Sequence, residues 1–493
     1  MPVAILGLDV GTNATKAVLY SEDGRELAVA GQSYPLETPR PGWVEQDAER
    51  VWQAVLACLR EVVSQAEGWQ IAGLALAAQA GSIIPCDEKG SPVYPMITWL
   101  DQRSAEIVAE WEADGTLERI RQMSGWRPFP GLPLPSIAWL QRHRPDIHAQ
   151  AKRYLGPPDF CIYRLTGKPA TDLSAAAEMV LVDIRRRRWH PTLCEMVGVD
   201  PARQAELGWA GRPLGRITPA VAVATGLPAG TPVIAGGHDQ CCACVGMGML
   251  EPGGVMLSTG TAWVITAVAD SPEPAAIPEG MDLNYHAVPE RWTVSQYLGG
   301  FGATVEWWLE QVWQSPDPEQ PLARSRRFEL LDRALEASEA GCRGLLFLPG
   351  AGSGQGAFVG LTLAHTRTDM TRAILEGAAF EVRRALDRMR HAGLSVQELW
   401  IAGGASSSPV WPQILADVTR VPIVLAEYPS WAALGAAVLA GRGVGLWPSL
   451  AEGVRRLRPP VRRLLPDLQR LPTYRDAYAR YLHVAHALER GQP

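Results

Sequence analysis

Two segments of the sequence share one pattern, in which a β-rich apolar run is followed by a Gly-Thr pair and a second apolar run. They are Val3–Tyr20 (VAILGLDVGTNATKAVLY) and Gly253–Val268 (GGVMLSTGTAWVITAV). The pattern predicts a strand, a tight turn that depends on glycine, and a returning strand. Backbone N–H groups and a hydroxyl lie close together in such a turn, which suits the binding of a phosphate chain. The repetition predicts a duplicated architecture that holds one polyphosphate from two sides, as in an ATP-handling enzyme.

A carboxylate follows each of two apolar runs. Asp9 lies at the end of the first run, and Asp239 follows Thr231–Gly237 (TPVIAGG), which is predicted to be a short buried strand. Functional residues gather at this end of strands in α/β folds, and a carboxylate there needs a metal, a hydrogen-bond partner or a catalytic role. The alternative is that each aspartate only caps a turn. The Gly-Thr pair after Asp9 and the polar neighbours of Asp239 favour a function, with Asp9 placed to hold a metal ion.

Length and charge limit the class of protein. A chain of 493 residues is too long for one ordinary core, and strands alternate with helices in both halves, so two α/β domains are predicted. The boundary is placed near Glu251–Gly254 (EPGG), between an N-terminal domain over residues 1–249 and a C-terminal domain over 250–493. A net charge of −6 gives no basic excess for a nucleic-acid partner. The sequence has no 18-residue apolar run or signal-peptide pattern, which predicts a cytoplasmic protein without a membrane partner.

Motifs of several other site classes are missing or incomplete. The eight cysteines include Cys241, Cys242 and Cys244, whose C-C-x-C spacing lacks the pairing of a zinc site, so they are predicted as small buried residues on a helix. The sequence has no G-x-x-x-x-G-K-[ST] motif, which excludes a P-loop kinase. The glycine-rich Gly350–Gly356 does not fit G-x-G-x-x-G, and no G-x-S-x-G elbow supports a serine hydrolase.

Two further segments carry candidate binding residues. Gly403–Ala405 (GGA) stands between a predicted strand and a predicted helix, where the backbone can come close to a flat ligand such as adenine. Trp99–Arg103 (WLDQR) is a polar cluster after an apolar segment. Within it, Asp101 either contacts a substrate or pairs with Arg103 to cap a helix, and the sequence supports both interpretations equally.

Several motifs, taken in order along the chain, belong to one pattern. They are Asp9-x-Gly11-Thr12, Pro41–Asp47 (PGWVEQD), Trp99-x-Asp101-x-Arg103, Gly236–Gln240 (GGHDQ), Ser258–Thr261 (STGT) and Gly403–Ala405 (GGA). This series resembles the FGGY carbohydrate kinases, which include the xylulose, ribulose, gluconate and glycerol kinases. The segment Gly356–Glu376 (GAFVGLTLAHTRTDMTRAILE) resembles the C-terminal signature of that family. The resemblance covers almost the whole chain.

The resemblance implies a fold, an activity and partners. The implied fold is α/β, with two actin-like (ribonuclease H-like) domains around a central cleft. The implied activity is ATP-dependent phosphorylation of a hydroxyl of a sugar or polyol, with Mg²⁺ as the metal ion and a small-molecule sugar as the partner. Homodimers are common in the family, so a homodimer is an expectation, although no interface is recognisable in the sequence.

The resemblance also implies roles for individual residues. Asp239 matches the catalytic aspartate that takes the proton from the substrate hydroxyl, and Asp9 and Asp239 match the acidic residues near Mg²⁺. The residues expected to bind the nucleotide and its phosphates are Gly11, Thr12, Asn13, Lys16, Gly260, Thr261, Gly302, Glu306, Gly404, Ala405 and Ser408. The residues expected to contact the substrate are Gln79, Ala80, Gly81, Trp99, Asp101, Asp239 and Gln240.

The substrate positions depart from the family pattern. After Gln79, xylulose kinases carry Met-His-Gly and glycerol kinases Arg-Glu, whereas this chain has Ala80–Ser82 (AGS). The contacts of those side chains must come from elsewhere, or the pocket is wider and takes a different or larger sugar. A ketose (pentulose or hexulose) or a sugar acid is therefore predicted first. One alternative is a glycerol or other polyol kinase, since Asp239-Gln240 resembles the glycerol-kinase pair. A second is a non-catalytic ATP-binding sugar sensor of the same fold.

Overall fold

The computed structural model describes residues 1–270, 273–314, 322–350, 355–426, 428 and 430–491. Most of the glycine-rich Gly350–Gly356 segment, namely residues 351–354, lies outside the described residues. Within the described residues, strands and helices alternate along much of the chain, as the sequence predicts.

The strands are numbered along the chain. They are β1 (Val3–Val10), β2 (Ala14–Ser21), β3 (Glu26–Ser33), β4 (Glu45–Gln46), β5 (Gln70–Ala78), β6 (Ile84–Cys86), β7 (Met96–Ile97), β8 (Arg153–Leu155), β9 (Ala170–Asp172), β10 (Val182–Asp183), β11 (Arg188–Trp189), β12 (Glu206–Gly208), β13 (Pro213–Arg216), β14 (Pro232–His238), β15 (Gly253–Thr259), β16 (Trp263–Ala269), β17 (Asp282–Tyr285), β18 (Trp292–Gly299), β19 (Leu346–Leu348), β20 (Ala357–Val359), β21 (Val396–Gly403), β22 (Ile423–Leu425) and β23 (Arg462–Leu464).

The α-helices are numbered in the same way. They are α1 (Ala48–Ser64), α2 (Ala105–Ala113), α3 (Thr116–Ser124), α4 (Pro133–His143), α5 (Pro145–Gln150), α6 (Pro157–Thr166), α7 (Leu173–Ala177), α8 (Pro191–Met196), α9 (Pro219–Thr225), α10 (Asp239–Met247), α11 (Phe301–Val312), α12 (Arg324–Ala337), α13 (Arg367–His391), α14 (Trp411–Thr419), α15 (Trp431–Gly443), α16 (Leu450–Leu457) and α17 (Leu471–Gly491). Short 3₁₀ helices lie at Pro201–Arg203, Pro274–Ala276, Cys342–Gly344 and Gly404–Ser407.

The chain divides into two compact units. The first contains Met1–Glu251, Asp270–Val294 and Pro429–Arg458, and the second contains Pro252–Ala269, Ser295–Tyr428 and Pro459–Pro493. The first unit thus takes in two segments beyond residue 250, whereas the sequence predicts a single division at that point.

The central strands of the two units follow one topology. In the first unit the order is β13-β14-β5-β1-β2-β3, and in the second the strands β18, β16, β15, β21, β22 and β23 are neighbours in that order. β1 is antiparallel to β2 and parallel to β5. β15 is likewise antiparallel to β16 and parallel to β21. The duplicated α/β architecture predicted from the two Gly-Thr segments is therefore confirmed.

Small residues explain why α15 packs within the first unit. A Cβ on Gly7 of β1 would stand 1.9 Å from Ala433 O, and a Cβ on Gly435 would stand 1.8 Å from Cys242 O. Only glycine allows backbones to approach this closely. α15 therefore lies directly against β1 and α10 although it follows them by about two hundred residues or more in the sequence. No local pattern in the sequence could reveal this packing.

Local signals account for the starts of two long helices, α1 and α13. Asp47 caps α1 by accepting hydrogen bonds from the amide groups of Glu49 and Arg50. At the start of α13, Thr366 and Asp369 form a reciprocal capping box. These caps satisfy backbone donors that a helix N-terminus otherwise leaves unpaired.

The cysteines are buried, free thiols. Cys241, Cys242 and Cys244 lie in the interior on α10, as predicted. Among the helices that the structure describes, none has the length and apolar character needed to cross a bilayer.

Candidate active site

The first Gly-Thr turn joins β1 to β2. The amide of Gly11 donates to Ala14 O at 2.9 Å, which closes the turn, and the hydroxyl of Tyr34 donates to Gly11 O at 2.6 Å. Thr12 is partly exposed and Asn13 is exposed. The turn predicted from the sequence is confirmed, and its polar groups are accessible to a ligand.

Asp9 lies on β1 immediately before this turn. The hydroxyl of Ser430, at the N-terminus of α15, donates to Asp9 Oδ2 at 2.8 Å. Burial and then the charge of Asp239 raise the pKa of Asp9 to about 6, against the opposing effects of Ser430 and Lys16. The two carboxylates that the sequence singles out therefore lie close enough for their charges to interact.

Asp239 begins α10 directly after β14, and an imidazole connects it to a second carboxylate. His238 Nε2–H donates to Asp239 Oδ1 at 3.0 Å, and His238 Nδ1–H donates to Glu178 Oε1 at 2.6 Å. Burial alone would lower the pKa of His238, but the charge of Glu178 and the hydrogen bond to Asp239 hold it well above its ordinary value. The two hydrogen bonds of the imidazole to carboxylates favour its protonated form and fix the position of the Asp239 carboxylate.

The backbone of β14 is held in place beneath this histidine. The amide of His238 donates to Ser174 Oγ at 3.0 Å, and Ser174 Oγ–H donates to Asp172 Oδ2 at 2.6 Å. A Cβ on Gly237 would stand 2.6 Å from Ser174 Oγ, so the glycine allows this close approach. Burial raises the pKa of Asp172 to about 6, while its hydrogen bonds from Ser174 act in the opposite direction.

Gln79 and Trp99 connect to the first turn through side-chain hydrogen bonds. Thr12 Oγ1 donates to Gln79 Oε1 and accepts from Trp99 Nε1, each at 3.2 Å. Gln79 Nε2 donates to Gln46 Oε1 at 3.1 Å, and Gln46 Nε2 donates to Thr12 O at 2.6 Å. Gln79 is 2 % exposed, so its amide is committed to holding the turn.

Asp101 and Arg103 form a buried ion pair. Arg103 donates from Nε and Nη2 to the two oxygens of Asp101, each at 2.8 Å, and from Nη2 to Glu45 Oε1 at 2.7 Å. The amide of Val44 donates to Asp101 Oδ2 at 2.6 Å. The guanidinium also lies 3.9 Å from the ring centre of Trp43. Of the two interpretations of this cluster, the structure supports the Asp–Arg pair, which ties the Trp43 segment to the segment after Trp99.

The second Gly-Thr turn lines a cavity of about 230 Å³ in the second unit. Its wall contains most of the residues expected at the nucleotide, together with apolar and aromatic side chains. The lining residues are Thr259, Gly260, Thr261, Trp263, Gly302, Val305, Glu306, Phe328, Gly404, Ala405 and Trp411. Residues from four separate parts of the sequence therefore meet at one concave site.

Glycines bring the three walls of this cavity together. A Cβ on Gly302 would stand 2.1 Å from Gly260 O. Gly403 has a φ of +97°, and a Cβ on it would stand 2.9 Å from Thr259 O. Thr259 Oγ1 donates to Ala402 O at 2.7 Å and accepts from the amide of Ala405 at 3.1 Å. These contacts fix the second turn against the Gly403–Ala405 segment.

The remaining predicted residues occupy different surroundings. Ser408 lies outside the cavity lining, and its hydroxyl donates to Asp332 Oδ1 at 2.6 Å. Ala80 and Gly81 are buried, with Gly81 beside Trp99, whereas Lys16 and Gln240 are partly exposed.

Sequence reasoning missed three polar residues of the first unit. Ser430 reaches Asp9 from a position 421 residues further along the chain, and no sequence pattern signals such a contact. Glu178 had no signal beyond being an acidic residue in an apolar run. Gln46 stands within the Pro41–Asp47 motif, which could have indicated it.

The donor set near the first turn fits a magnesium ion. Mg²⁺ is usually bound by one or two carboxylates, with water and substrate phosphates completing its coordination. Asp9 and Asp239 supply two carboxylates whose mutual repulsion a cation would relieve. Among the residues that the structure describes, no three His, Cys, Asp or Glu residues are grouped as a metal site.

Two family models match consecutive parts of the chain. The N-terminal domain of the FGGY family of carbohydrate kinases matches residues 4–246, and the C-terminal domain of the same family matches residues 255–444.

Individual relatives extend over the whole chain. The L-xylulose/3-keto-L-gulonate kinase of Escherichia coli (strain K12) is 30% identical over 98% of this chain and 97% of its own length. The crystal structure of xylulose kinase from Rhodospirillum rubrum superposes with a TM-score of 0.91 at 27% identity, covering 99% of each chain. That of gluconate kinase from Lactobacillus acidophilus gives a TM-score of 0.90 at 25% identity, covering 99% of this chain and 98% of the other. The predicted fold class is confirmed, since the two α/β units are those of kinases with an actin-like fold.

Proposed function

Because this chain belongs to the FGGY family of carbohydrate kinases, in which ATP is the phosphate donor, we propose a specific reaction for it. The γ-phosphoryl group of ATP is transferred to a hydroxyl of a ketose, either a pentulose or a hexulose, or of a sugar acid. Asp239 accepts the proton of that hydroxyl. The proposal narrows the established class, which is a phosphotransferase with an alcohol group of a sugar as acceptor.

The observation that carries the proposal is the environment of Asp239. Its carboxylate stands at the first position of α10, where the helix N-terminus favours a negative charge, and His238 fixes its orientation. A sugar hydroxyl is a weak nucleophile, so a positioned carboxylate that accepts its proton accelerates attack on the phosphorus atom. The proton moves to a carboxylate oxygen of Asp239 as the new O–P bond forms and the bond to the leaving ADP breaks.

The nucleotide is assigned to the cavity of the second unit. Gly260 and Thr261 offer backbone amides and a hydroxyl to phosphate oxygens, and Gly404 and Ala405 carry no large side chains, so a flat base such as adenine can come close to their backbone. Trp263 and Trp411, whose ring centres lie 5.2 Å apart, add an apolar floor. Such a site binds the base by contact area and the phosphates by hydrogen bonds.

Asp9 and Asp239 would hold Mg²⁺, which would neutralise charge on the transferred phosphoryl group. Asp9 remains in position through Ser430, and Lys16 lies close enough to lower the pKa of Asp9. Lys16 is therefore assigned to the phosphate side of the first turn, together with Gly11, Thr12 and Asn13.

Two other properties are part of the same proposal. We propose that the protein is cytoplasmic and forms a homodimer. Size-exclusion chromatography coupled to light scattering would measure its mass in solution and so its oligomeric state. A glycerol or polyol kinase and a non-catalytic sugar sensor are the competing functions, and neither is favoured by a specific contact in the structure.

Coupled release of ADP tests the proposed function. The wild-type protein and Asp239→Asn are assayed with Mg-ATP and a panel of pentuloses, hexuloses, sugar acids, glycerol and tetritols. Strong turnover on a ketose or sugar acid, lost in the variant, supports the proposal. Preferred turnover on glycerol or a tetritol makes the protein a polyol kinase, and an absence of turnover on every compound, with ADP binding intact, favours the sensor.

A further inference from the structure

We propose that Glu178 is a specificity-determining residue of the sugar site, where it accepts hydrogen bonds from substrate hydroxyls and discriminates against substrates that carry a carboxylate. The inference rests on the proposed function, because it concerns the sugar that Asp239 activates. The proposed function leaves open whether the substrate is a neutral ketose or a sugar acid. A role of Glu178 in specificity favours the neutral polyhydroxy sugar.

Glu178 lies close to the groups that react. Glu178 and Asp239 are hydrogen-bonded to opposite nitrogens of one imidazole, so the two carboxylates are separated by the width of the His238 ring. A sugar hydroxyl that donates its proton to Asp239 brings its neighbouring carbons and hydroxyls into the range of Glu178. A hydrogen-bonding group at that distance acts on the substrate itself.

Gly81 places no side chain of its own against Glu178 Oε2. A Cβ built on Gly81 would stand 3.1 Å from Leu132 Cδ2, 3.4 Å from Trp99 Cβ and 3.5 Å from Glu178 Oε2, so the position is closely surrounded. Because residue 81 is glycine, Oε2 is not covered by a side chain from this direction. Trp99 Nε1 in turn donates to Thr12 Oγ1 of the first turn, which connects Glu178 to residues expected at the substrate.

The carboxylate of Glu178 is held in one orientation by hydrogen bonds. Its Oε1 accepts from His238 Nδ1 at 2.6 Å and from Asn284 Nδ2 at 3.3 Å, and the same Asn284 amide donates to Ser174 O at 3.0 Å. Both hydrogen bonds end on Oε1, so Oε2 is the oxygen directed toward Gly81. An acceptor fixed in advance binds a hydroxyl with little loss of conformational freedom.

The surroundings of Glu178 are rich in carboxyl groups. Glu178 and Asp239 are both hydrogen-bonded to the one imidazole of His238. Asp282 is close enough to Glu178 for their charges to interact. Burial and, among other causes, the charge of Glu178 raise the pKa of Asp282 to about 7. A substrate carboxylate would add a like charge to this group and would bring only acceptor atoms to Glu178. Hydroxyl groups bring donors and no charge.

The test compares neutral and carboxylated substrates in the same enzyme. The ratio of kcat/KM for a sugar acid to kcat/KM for a neutral ketose of the same chain length is measured with wild type and with Glu178→Gln. The variant keeps the size of the side chain and an oxygen for His238, but it removes the charge and places donor atoms where Oε2 stood. Glu61→Gln, an exposed residue of α1, is the matched control.

The expected results are a wild-type ratio below one and a rise of at least about 10-fold in Glu178→Gln, through KM more than kcat, with no change in the control. A wild-type preference for the sugar acid, or a smaller rise, overturns the inference. The wild-type ratio is informative even if the variant does not fold, which thermal unfolding and ADP affinity would reveal. Failure of the proposed function looks different, because wild type would then turn over neither substrate.

Discussion

The two Gly-Thr turns occupy equivalent places in the two units and have different surroundings. Each connects a central strand to an antiparallel neighbour, and each central strand has a parallel partner on its other side. Asp9 stands three residues before Thr12 in the first turn, and Ser258 stands three residues before Thr261 in the second. One turn thus follows a partly buried carboxylate and the other follows a hydroxyl.

The walls around the turns differ in the same sense. The first turn is tied to Gln46, Gln79 and Trp99 by polar side chains, and Asp239 acts on Asp9 through its charge. The second is enclosed by glycines that admit other backbones and by aromatic rings. The first copy of the turn is thus surrounded by polar and charged side chains, and the second by glycines and aromatic rings that enclose a cavity. We propose that the first serves proton and metal chemistry and that the second binds the nucleotide.

Removal of the proposed base should have the largest effect, because it should abolish turnover and leave nucleotide binding in the second unit unchanged. Asp239→Asn removes the proton acceptor but keeps the size of the side chain, so kcat should fall by about 10²–10⁴-fold. ADP affinity should stay within a factor of about three, because the cavity of the second unit is not altered. Turnover and calorimetric titration with ADP provide the two measurements. Wild-type turnover in this variant would remove Asp239 from the role of base.

A change at Gly302 should produce the opposite result. The Cβ of Gly302→Ala would stand 2.1 Å from Gly260 O, so the backbone of the second turn must shift. The KM for ATP is expected to rise by at least about 10-fold, with a smaller change in the KM for sugar. Gly300→Ala is the matched control, because the nearest atom to its Cβ is 3.9 Å away. An equal rise in both variants would mean that helix α11, and not the turn, is affected.

The Ser430–Asp9 contact can be measured by a pair of cap variants. Ser430→Ala removes a helix cap and the hydrogen bond to Asp9, and should lower the free energy of unfolding by about 1–2 kcal/mol. Ser449→Ala removes only the equivalent cap of α16. Denaturant unfolding of both variants isolates the Asp9 contribution, and kcat should fall only in the first. Equal activity of the two variants would show that the Asp9 contact does not contribute to catalysis.

Asp159 tests whether burial raises the pKa of a carboxyl group in the first unit. Burial raises its pKa to about 7, while its hydrogen bonds with Thr171 and Gly156 act in the opposite direction. Since this pKa lies above the unfolded value of 3.8, the folded protein holds the proton more tightly, and stability is lost as the pH rises from about 4 through 7. Asp159→Asn should reduce the loss between pH 6 and pH 7 by about 1 kcal/mol in denaturant unfolding. Identical pH dependence in wild type and variant would contradict the raised pKa.

The sequence predicts those features that depend on neighbouring residues. Both turns, the strand before Asp239 and the burial of the three cysteines on α10 follow from local patterns of apolar, glycine and polar residues. Six of the residues expected at the nucleotide, which come from three segments, line one cavity, and in the sequence only the family motifs connect those segments.

What the sequence does not predict depends on contacts between distant segments. The packing of α15 on β1 requires Gly7 to meet Ala433, and the cap of α15 then happens to face Asp9. Glu178 becomes part of the site only because His238 bridges it to Asp239. No periodicity or spacing in the sequence predicts these long-range contacts, which depend on the shapes of the packed elements.

We propose that the first unit carries the catalytic base and that the cavity of the second unit binds the nucleotide. Titration of ADP into wild type, Asp239→Asn and Gly302→Ala under the same conditions tests this division most directly. We expect wild-type ADP affinity in Asp239→Asn, which no longer turns over sugar, and an ADP affinity lower by at least about 10-fold in Gly302→Ala. Loss of ADP binding in Asp239→Asn together with full binding in Gly302→Ala would contradict it.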